Sequence, residues 1–303
     1  MNYKRKLRNL ADKLPYVRSL KKKVSFYESE LPVPPGHFYS PLVNTSEINA
    51  QAERIFNNER NLESIDMNED GQYKLMNLFK DYYKLLPFTE NPIEGKRYFY
   101  NNSFYSYSDV IFLFSMIMHN KPRRIIEIGS GFSSAAMLDV NEQFFKNSMD
   151  ITFIEPYPIN LKNIIKPGDK YTLIEKKIQD VHKSIFQSLE ENDILFIDST
   201  HVAKTNSDVL FEIFEILPYL NKGVKIHFHD IFFPFEYPRK WVVEEKKNWN
   251  EIYFLRAFLM YNTNFKIVAF STYLENIHEK WFMENMPLCL KNTGGSCWLE
   301  KVV

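Results

Sequence analysis

The sequence predicts an α/β protein built on a doubly wound, mostly parallel β-sheet. After residue 122, short apolar strands alternate with longer segments of helical periodicity, in at least five consecutive β-α units. The first strand, Arg124–Ile128, runs into a Gly-x-Gly turn at Gly129 and Gly131, and a helix-compatible segment follows. A strand, a tight glycine turn and a helix start are typical of a site that faces a nucleotide or a phosphate.

The remaining elements follow from the same alternation. Strands are predicted at 124–128, 151–155, 171–175, 193–198, 223–230, 265–270 and 296–301, and helices at 132–146, 160–165, 180–190, 204–220 and 250–262. Ligands of such sheets bind at the carboxyl ends of the strands, near the point where the strand order reverses. The residues that follow each strand are therefore the candidate site residues.

The N-terminal part of the chain has a different pattern. Residues 1–30 are expected to form a basic arm, residues 31–121 a proline-rich extended segment with a helical cap, and residues 122–303 the sheet domain. In the cap, apolar residues recur at helical spacing. Helices are predicted there at 47–62, 72–86 and 107–120, in a position to cover the glycine turn.

Charge is distributed unevenly along the chain. The net charge is zero, from 38 basic and 38 acidic residues, yet residues 1–23 hold nine basic residues and one acid. Such an arm is either a solvated tail or a short cationic helix that associates weakly with an anionic membrane surface or a partner. The rest of the chain shows no pattern of a nucleic-acid-binding groove, and a homo-oligomer is compatible with the sequence.

The cysteine content and hydropathy predict a cytoplasmic location, peripheral to the membrane at most. Cys289 and Cys297 are too few for a disulfide framework or a zinc site. No apolar run reaches the roughly 18 residues of a membrane span, and the N-terminus lacks the apolar core of a signal peptide.

Polar residues follow the first three predicted strands. Glu127 and the glycine turn end the first strand, and Glu155 ends the second, where a carboxylate is placed to accept hydrogen bonds from ribose hydroxyls. Gln179 and Asp180 follow the third strand and are within reach of a base. These positions predict a nucleoside-containing ligand.

The later strand ends extend the pattern and carry a family resemblance. Glu-x-Gly-x-Gly at 127–131, an acid that ends the second strand and Asp198 after the fourth resemble the class I S-adenosylmethionine-dependent methyltransferases. More narrowly, the chain resembles the subgroup sometimes labelled methyltransferase 24, related to catechol O-methyltransferase-like and cephalosporin-hydroxylase-like small-molecule enzymes. The segments that carry this resemblance are Phe196–His201, Ser207–Val209, His227–Phe232, Pro234–Pro238 and, near the N-terminus, Pro35–Pro41.

The resemblance implies a Rossmann-like, seven-stranded sheet whose last strand is antiparallel. It also implies S-adenosylmethionine as the methyl donor. The residues that would bind this cofactor are Glu127, Gly129, Ser130 and Gly131 at its methionine portion, Glu155 at the ribose, Asp180 near the adenine, and Asp198 beside it.

The glycine turn departs from the dinucleotide-binding pattern. In Gly129–Ser134 the third glycine of G-x-G-x-x-G is absent, because serine occupies position 134. A dinucleotide needs that turn to accept a pyrophosphate, whereas S-adenosylmethionine has none. The turn therefore favours a methyl donor over a nicotinamide cofactor.

Methyl transfer to oxygen needs a hydroxyl that is deprotonated or strongly polarised, either by a general base or by a divalent cation. Metal-dependent relatives place ligands after the fourth and fifth strands, and the matching positions are Asp198, His229 and Asp230. Two carboxylates suit Mg²⁺, Mn²⁺ or a similar ion. His229 is a departure, since Mg²⁺ prefers oxygen ligands; a bound His229 would favour Mn²⁺, Fe²⁺ or Zn²⁺.

His201 offers a metal-free alternative as general base, because it follows Asp198 on the loop that faces the predicted pocket. Asp198 could instead cap a helix or orient a loop. His227 lies deeper in its strand and is expected in the core. Residues 233–238 form either an acceptor-pocket wall or a rigid surface loop, and Trp249–Arg256 begins a helix expected to contribute ordinary packing.

The leading interpretation is a cytosolic S-adenosylmethionine-dependent O-methyltransferase, assisted by a divalent metal and with catalytic residues His201, Asp198, His229 and Asp230. Its acceptor would be a hydroxyl of a small molecule or a sugar, as in glycan modification. The alternatives are metal-free transfer with His201 as base, a methyltransferase-like binding subunit without turnover, and a nicotinamide-dependent oxidoreductase.

Overall fold

The computed structural model describes residues 12–57 and 62–303. Within them the chain forms two compact units. Residues 12–57 and 238–248 make up the first, and residues 62–237 and 249–303 make up the second. None of the helices in the described residues combines the length and the apolarity needed to cross a bilayer.

The first unit contains three α-helices: α1 (Pro15–Glu30), α2 (Thr45–Ala50) and α3 (Ala52–Ile55). A π-helical turn, Lys240–Glu244, joins this unit and packs against α2. The Asn44 side chain begins α2 by accepting the backbone N–H groups of Ser46 and Glu47. The helix predicted over 47–62 is thus interrupted at Gln51, which has non-helical dihedral angles, and its residues 58–61 lie outside the described part.

The second unit is built on a seven-stranded sheet in the order β3-β2-β1-β4-β5-β7-β6. The strands are β1 (Arg124–Ile128), β2 (Asp150–Ile154), β3 (Thr172–Ile174), β4 (Ile194–Ile197), β5 (Lys225–Phe228), β6 (Phe265–Phe270) and β7 (Cys297–Lys301). The pairs from β3 to β5 are parallel, and β7 runs antiparallel to both of its neighbours. The predicted doubly wound sheet with an antiparallel last strand is confirmed.

Helices cover both faces of this sheet, which explains its continuous apolar strands. The helices are α4 (Glu69–Tyr83), α5 (Ser108–Asn120), α6 (Phe132–Phe145), α7 (Ile159–Ile164), α8 (Ser184–Gln187), α9 (Asp208–Phe211), α10 (Glu251–Leu259), α11 (Ser271–Ile277) and α12 (Glu279–Asn285). Every residue of β4 and β5 is buried. The free thiols of Cys289 and Cys297 are buried as well.

His227, in the middle of β5, is a core residue, as its position in the strand predicts. Its side chain is fully buried and stacks on Phe196, with 3.9 Å between ring centroids, and lies 4.7 Å from the Trp298 ring. Burial lowers the pKa of His227 well below its ordinary value, so the imidazole is neutral.

The helices after β3 and β4 are shorter than predicted. The segment predicted at 180–190 contains a 3₁₀ turn, Ile178–Asp180, and the four-residue α8. Extended dihedral angles at Val181 separate the two. In the segment predicted at 204–220, α9 continues into a π-helical turn and a 3₁₀ turn that contains Pro218. Pro218 has no backbone N–H to donate to the preceding turn, so the α-helix does not continue through it. The spacing of apolar residues does not record this effect.

The helices α4 and α5, expected in an N-terminal cap, lie in the same compact unit as the sheet. α4 packs against α5 and β6, and α5 also contacts α6 and α11. The physical reason is that α5 is rich in large apolar residues, and every residue from Ser108 to Ile117 is buried. Such a helix needs neighbours on all of its faces. The compact units divide near residue 58, and the functional division into an arm, a cap and a sheet domain stays a prediction.

A buried ion-pair network ties the segment before α5 to the sheet unit. Arg97 donates from Nη1 to Asp139 and to Glu142, each at 2.7 Å, and from Nε to Asp169 at 2.9 Å. Asp139 also accepts the backbone N–H groups of Arg97 and Tyr98, both at 2.9 Å. The side chains of Arg97 and Asp139 are 4% and 1% exposed, so each charge depends on its partners.

Replacing Arg97 by methionine should strongly destabilise the protein, because Asp139 would keep a buried charge without its cation. Breaking one partner of a buried pair costs about 3–5 kcal/mol, and we expect the free energy of unfolding in urea to fall by that order. Lys162→Met is the matched control, because its pair with Glu175 is about half exposed on both sides and should contribute about 0–1 kcal/mol. Equal losses in the two variants would contradict a structural role for the Arg97 network.

Candidate active site

The parallel register brings four strand ends to one edge of the sheet. Ile128 of β1 pairs with Ile154 of β2 and with Ile197 of β4, and Ile197 pairs with Phe228 of β5. The residues just beyond these pairs are therefore neighbours across the edge. They are Gly129, Glu155, Asp198 and His229, all predicted from the sequence as site residues.

The glycine turn lies directly against the end of β4. The backbone N–H of Asp198 donates to the Ile128 carbonyl at 2.9 Å, and the N–H of Gly129 donates to the Ile154 carbonyl at 3.0 Å. Gly129 has a φ of +86°, and a Cβ at this position would lie 2.0 Å from the Asp198 carbonyl oxygen. Only glycine satisfies both the dihedral angle and the contact.

Gly131 has a different role from the sharp turn expected of it. Its φ of −178° is extended, and a Cβ there would meet no atom within 4 Å. Its missing side chain leaves open space in a cavity. Its N–H donates to Ser134 Oγ at 3.0 Å, so the serine at the third-glycine position engages an N–H that a pyrophosphate would otherwise use.

Glu127 is bound by two serines that follow the glycine turn. The hydroxyl of Ser134 donates to Glu127 Oε2 at 2.5 Å, and the hydroxyl of Ser133 donates to Oε1. The Glu127 side chain is fully buried and lines neither cavity described below. Burial raises the pKa of Glu127 to about 8, although the two serine hydrogen bonds oppose this shift. Direct contact between Glu127 and a cofactor stays a prediction.

Two cavities flank the glycine turn, and Asp198 lines both. The first, of about 380 Å³, is lined by Gly129, Glu155 and Gln179 among others. The second, of about 290 Å³, is lined by Ser130 and Gly131 together with Phe104, Tyr105, Phe132, Ser133, Asn160, Asn163 and Ile164. Together they follow the turn on both sides, which suits an elongated ligand.

Three predicted cofactor residues differ in their access to these cavities. Glu155 lines the first cavity, and its Oε1 accepts the N–H of Tyr157 at 2.8 Å. Ser130 lines the second cavity, and its Oγ is buried without a hydrogen-bond partner, as expected of a group that awaits a ligand. Asp180 is exposed and lines neither cavity; its neighbour Gln179 lines the first. A role for Asp180 beside an adenine stays a prediction.

His201 is the centre of the predicted catalytic residues. Its Nε2 lies 3.4 Å from Asp198 Oδ1 and 3.6 Å from Asp230 Oδ2. Its Nδ1 lies 2.7 Å from Glu251 Oε2. His201 and Asp230 both have positive φ values, 59° and 57°, a strained conformation that surrounding contacts must impose.

The contacts that hold His201 come from the start of α10. The His201 carbonyl accepts the N–H groups of Asn250 at 3.0 Å and of Glu251 at 3.2 Å. The Asn250 side chain accepts the N–H of Ala203 at 2.6 Å and donates to its carbonyl at 3.2 Å. The ring of Trp249 lies 4.3 Å from the His201 ring, centroid to centroid. The loop after β4 is therefore fixed on both sides of its histidine.

The electrostatics favour a charged His201. Burial disfavours the imidazolium, but the contacts with Asp198 and Glu251 outweigh it, so the pKa of His201 lies well above its ordinary value. Burial likewise raises the pKa of Asp198, but His229 and His201 outweigh it and the net shift is downward. For Glu212, burial and then the charge of Glu251 raise the pKa well above the ordinary range.

His229 lies near this cluster without joining a three-ligand group. Its Nε2 is 3.5 Å from Asp230 Oδ1, its Nδ1 has no hydrogen-bond partner, and its ring lies 5.1 Å from that of Tyr105. His201, however, faces the other carboxylate oxygen, Asp230 Oδ2. Among the residues described, no group of three or more His, Cys, Asp or Glu side chains is arranged to hold a metal ion. A metal held by Asp198, His229 and Asp230 stays a prediction.

Glu251 is the site residue that sequence reasoning missed. The segment Trp249–Arg256 was expected to contribute ordinary packing, and Ile252, Leu255 and Leu259 are indeed buried. Glu251 is only 1% exposed. The signal in the sequence is an acid in the first turn of a helix with an apolar stripe. Its burial against His201 is visible only in the structure.

Residues 233–238, for which two roles were open, pack into the protein. Phe235 is fully buried and Tyr237 is 3% exposed. The Tyr237 hydroxyl accepts the N–H of Ile252 at 3.3 Å. The segment therefore supports the start of α10, which holds His201, and it lines neither cavity.

Comparisons with known proteins agree with this geometry. Residues 126–231 match a family model described as a methyltransferase domain. An uncharacterized protein of Archaeoglobus fulgidus is 39% identical over 166 residues, which cover 53% of this chain and 75% of that protein. These two sequence matches carry the family assignment.

Two solved structures show weaker similarity. The plantazolicin methyltransferase BpumL, in complex with a pentazolic desmethylPZN analog and SAH, is 17% identical, with 62% of this chain and 80% of that chain covered and a TM-score of 0.35. A mutant of MtNAS is 13% identical, with 96% and 99% covered and a TM-score of 0.38. Similarities of this size carry no argument about fold or function.

Replacing Gly129 by alanine should destabilise the protein, and replacing Gly131 should not. Alanine at position 129 would pay about 1–2 kcal/mol for its positive φ, and its Cβ would overlap the Asp198 carbonyl oxygen at 2.0 Å. We expect the free energy of unfolding in urea to fall by more than about 2 kcal/mol. Gly131→Ala, whose Cβ meets no atom, is the matched control, and equal stability of the two variants would contradict the contact.

Glu127 should make stability depend on pH. A carboxyl whose pKa rises from 4.5 to about 8 on folding stabilises the fold fully below pH 4.5, and this contribution is lost as the pH rises through about 8. In urea unfolding at pH 5 and pH 9, the wild type should lose on the order of a few kcal/mol relative to Glu127→Gln. The comparison at pH 5 is the control, because in the folded state both Glu127 and the glutamine that replaces it are then neutral. Identical pH slopes would show that native Glu127 is ionised.

Proposed function

The chain belongs to the class I S-adenosylmethionine-dependent methyltransferases, and we propose that it methylates a hydroxyl group of a sugar or another small molecule. The observation that carries this proposal is the position of His201 between the carboxylates of Asp198 and Asp230, with Glu251 fixing its other nitrogen. O-methylation requires removal of a hydroxyl proton, and an imidazole oriented by a carboxylate is the usual side-chain arrangement for that task.

The residues around the glycine turn fit the methyl donor. Bound S-adenosylmethionine supplies an electrophilic methyl group on a positively charged sulfur. Asp198, which lines both cavities, holds a negative charge at neutral pH and so favours a cationic ligand. Glu155 would accept ribose hydroxyls in the first cavity, and the buried Ser130 hydroxyl would donate to the ligand in the second.

The chain's own groups would then handle the hydroxyl proton. His201 is charged in the protein alone, so it must first release its own proton to solvent. In the neutral form, its Nε2 accepts the hydroxyl proton while the bond from the hydroxyl oxygen to the methyl carbon forms and the bond from that carbon to the donor sulfur breaks. The resulting imidazolium is stabilised by Asp198, Asp230 and Glu251, which already lie within 3.6 Å of its nitrogens. In this scheme Glu251 is a positioning residue, because it holds Nδ1 and thereby fixes which nitrogen faces the acceptor.

Divalent-metal assistance through Asp198, His229 and Asp230 stays a prediction. The arrangement of these residues favours the metal-free route, since His201 Nε2 lies within 3.6 Å of both carboxylates. A nicotinamide-dependent reaction is disfavoured by Ser134, whose Oγ engages the Gly131 N–H at 3.0 Å. A sugar acceptor and a cytoplasmic location rest on the family resemblance and on the sequence.

The proposal predicts that removal of the His201 imidazole abolishes transfer without preventing donor binding. Labelled methyl transfer from S-adenosylmethionine should be assayed over a panel of sugars, nucleotide sugars and phenols, with the methylated atom identified by NMR. With a hydroxyl acceptor, His201→Gln should lower kcat by about 10²–10⁴-fold. Glu251→Gln should lower kcat less, with the KM for the donor unchanged. His182→Gln, at an exposed histidine, is the matched control.

Separate arms of the same experiment test the donor and the metal. Calorimetric titration with S-adenosylhomocysteine should show binding that Glu155→Ala weakens about tenfold or more, with exposed Asp180→Ala as the comparison. No binding by the wild type, or no effect of Glu155→Ala, would reject the donor site. Methyl transfer to nitrogen or carbon would reject O-methylation. Activity lost in EDTA and restored by Mg²⁺ or Mn²⁺ would replace the His201 route with the metal-assisted one.

A further inference from the structure

We propose that α1 is a membrane-surface helix that binds anionic lipid bilayers. This inference concerns Pro15–Glu30 of the first compact unit and is independent of the methyl-transfer reaction. The helix has 16 residues, and none of them is buried. A helix of this length is marginal in water without a packed face, so a surface that covers it would stabilise it.

One face of α1 is an apolar stripe. Tyr16, Leu20, Val24 and Tyr27 follow one another at intervals of four, four and three residues, the spacing that aligns side chains on one face of a helix. Their exposed fractions are 74%, 43%, 52% and 63%, in that order. Two tyrosines at the ends of an aliphatic pair suit the interface between headgroups and acyl chains, where one end of each ring is apolar and the other is wet.

Basic residues outnumber acidic residues on α1. Arg18 and the run Lys21–Lys23 lie between the members of the apolar stripe, and all four side chains belong to exposed residues. Asp12 pairs with Lys21 at 2.6 Å and is the only acid among residues 1–23, against nine basic residues. This sequence excess includes residues 1–11, which the structure does not describe. Glu28 and Glu30 lie in the last turn of α1, so the helix itself carries four basic and two acidic residues. An anionic membrane surface complements this positive charge, and electrostatic attraction contributes about 1 kcal/mol of binding free energy for each basic residue near the surface.

The combination of both features selects a bilayer over other occupants. A nucleic acid would pair with the basic residues but would leave Leu20 and Val24 in water. A second copy of α1 could cover the stripe but would bring Lys21–Lys23 of two chains together. An anionic bilayer satisfies the apolar and the charged side chains at once, which is the usual pattern of a helix that lies in the membrane interface.

The test is co-sedimentation of the full chain with vesicles. The wild type should bind vesicles of phosphatidylcholine and phosphatidylglycerol at 3:1, bind pure phosphatidylcholine at least about tenfold less, and be released by high salt. The triple variant Lys21→Gln, Lys22→Gln, Lys23→Gln should weaken binding about tenfold or more. The double variant Leu20→Ser, Val24→Ser should do the same through the apolar stripe.

Matched controls change similar residues elsewhere. The triple variant Lys170→Gln, Lys222→Gln, Lys280→Gln removes three exposed lysines, and Phe214→Ser removes an exposed apolar ring, 56% accessible, from the second unit. Both should bind vesicles as the wild type does. Urea unfolding reports whether each variant is folded without relying on the proposed cofactor, so a failure of the proposed reaction and a failure of the membrane proposal are distinguishable.

Three outcomes would overturn the proposal. The first is that the wild type does not sediment with anionic vesicles. The second is that the α1 variants and their controls bind equally. The third is that the α1 variants abolish binding of a labelled oligonucleotide, or concentration-dependent dimerisation, while vesicle binding is absent. That result would assign α1 to a nucleic acid or to a second copy of the chain.

Discussion

The close contact between the glycine turn and the end of β4 is the constraint on which the site depends. Because Asp198 donates its N–H to Ile128 and its carbonyl fills the space beside Gly129, the turn and the end of β4 form one rigid edge. The cavities lie on either side of that edge, with Asp198 lining both. A donor held at the turn would therefore lie beside the carboxylate that faces His201.

The cluster around His201 shows how a strained, charged site is kept in place. A buried imidazolium with carboxylates around it would be costly if any partner could move. The backbone N–H groups at the start of α10 hold the His201 carbonyl, and Tyr237 in turn accepts an N–H from α10. The site is thus oriented before any ligand binds, which is what proton transfer in a defined geometry requires.

The hydrogen bonds of Glu127 and Ser134 distinguish this glycine turn from a dinucleotide-binding turn. Their hydrogen bond, together with the Gly131 N–H to Ser134, closes the start of α6 internally. The donors that a pyrophosphate would use are thereby partly engaged, while Ser130 Oγ stays unpartnered at the cavity. Within Gly129–Ser134, one backbone N–H is therefore engaged internally and one buried hydroxyl is without a partner.

The sequence by itself determined the sheet and half of the site. Apolar runs with glycine punctuation encode local structure, so the seven strands and the positions of Gly129, Glu155 and Asp198 could be predicted. Tertiary structure alone decided that Glu251 meets His201 from 50 residues away. It also decided that Glu127 faces serines instead of a cavity, and that α5 lies in the same compact unit as the sheet. Periodicity records which residues share a face of their own element, but not which side chains meet across the fold.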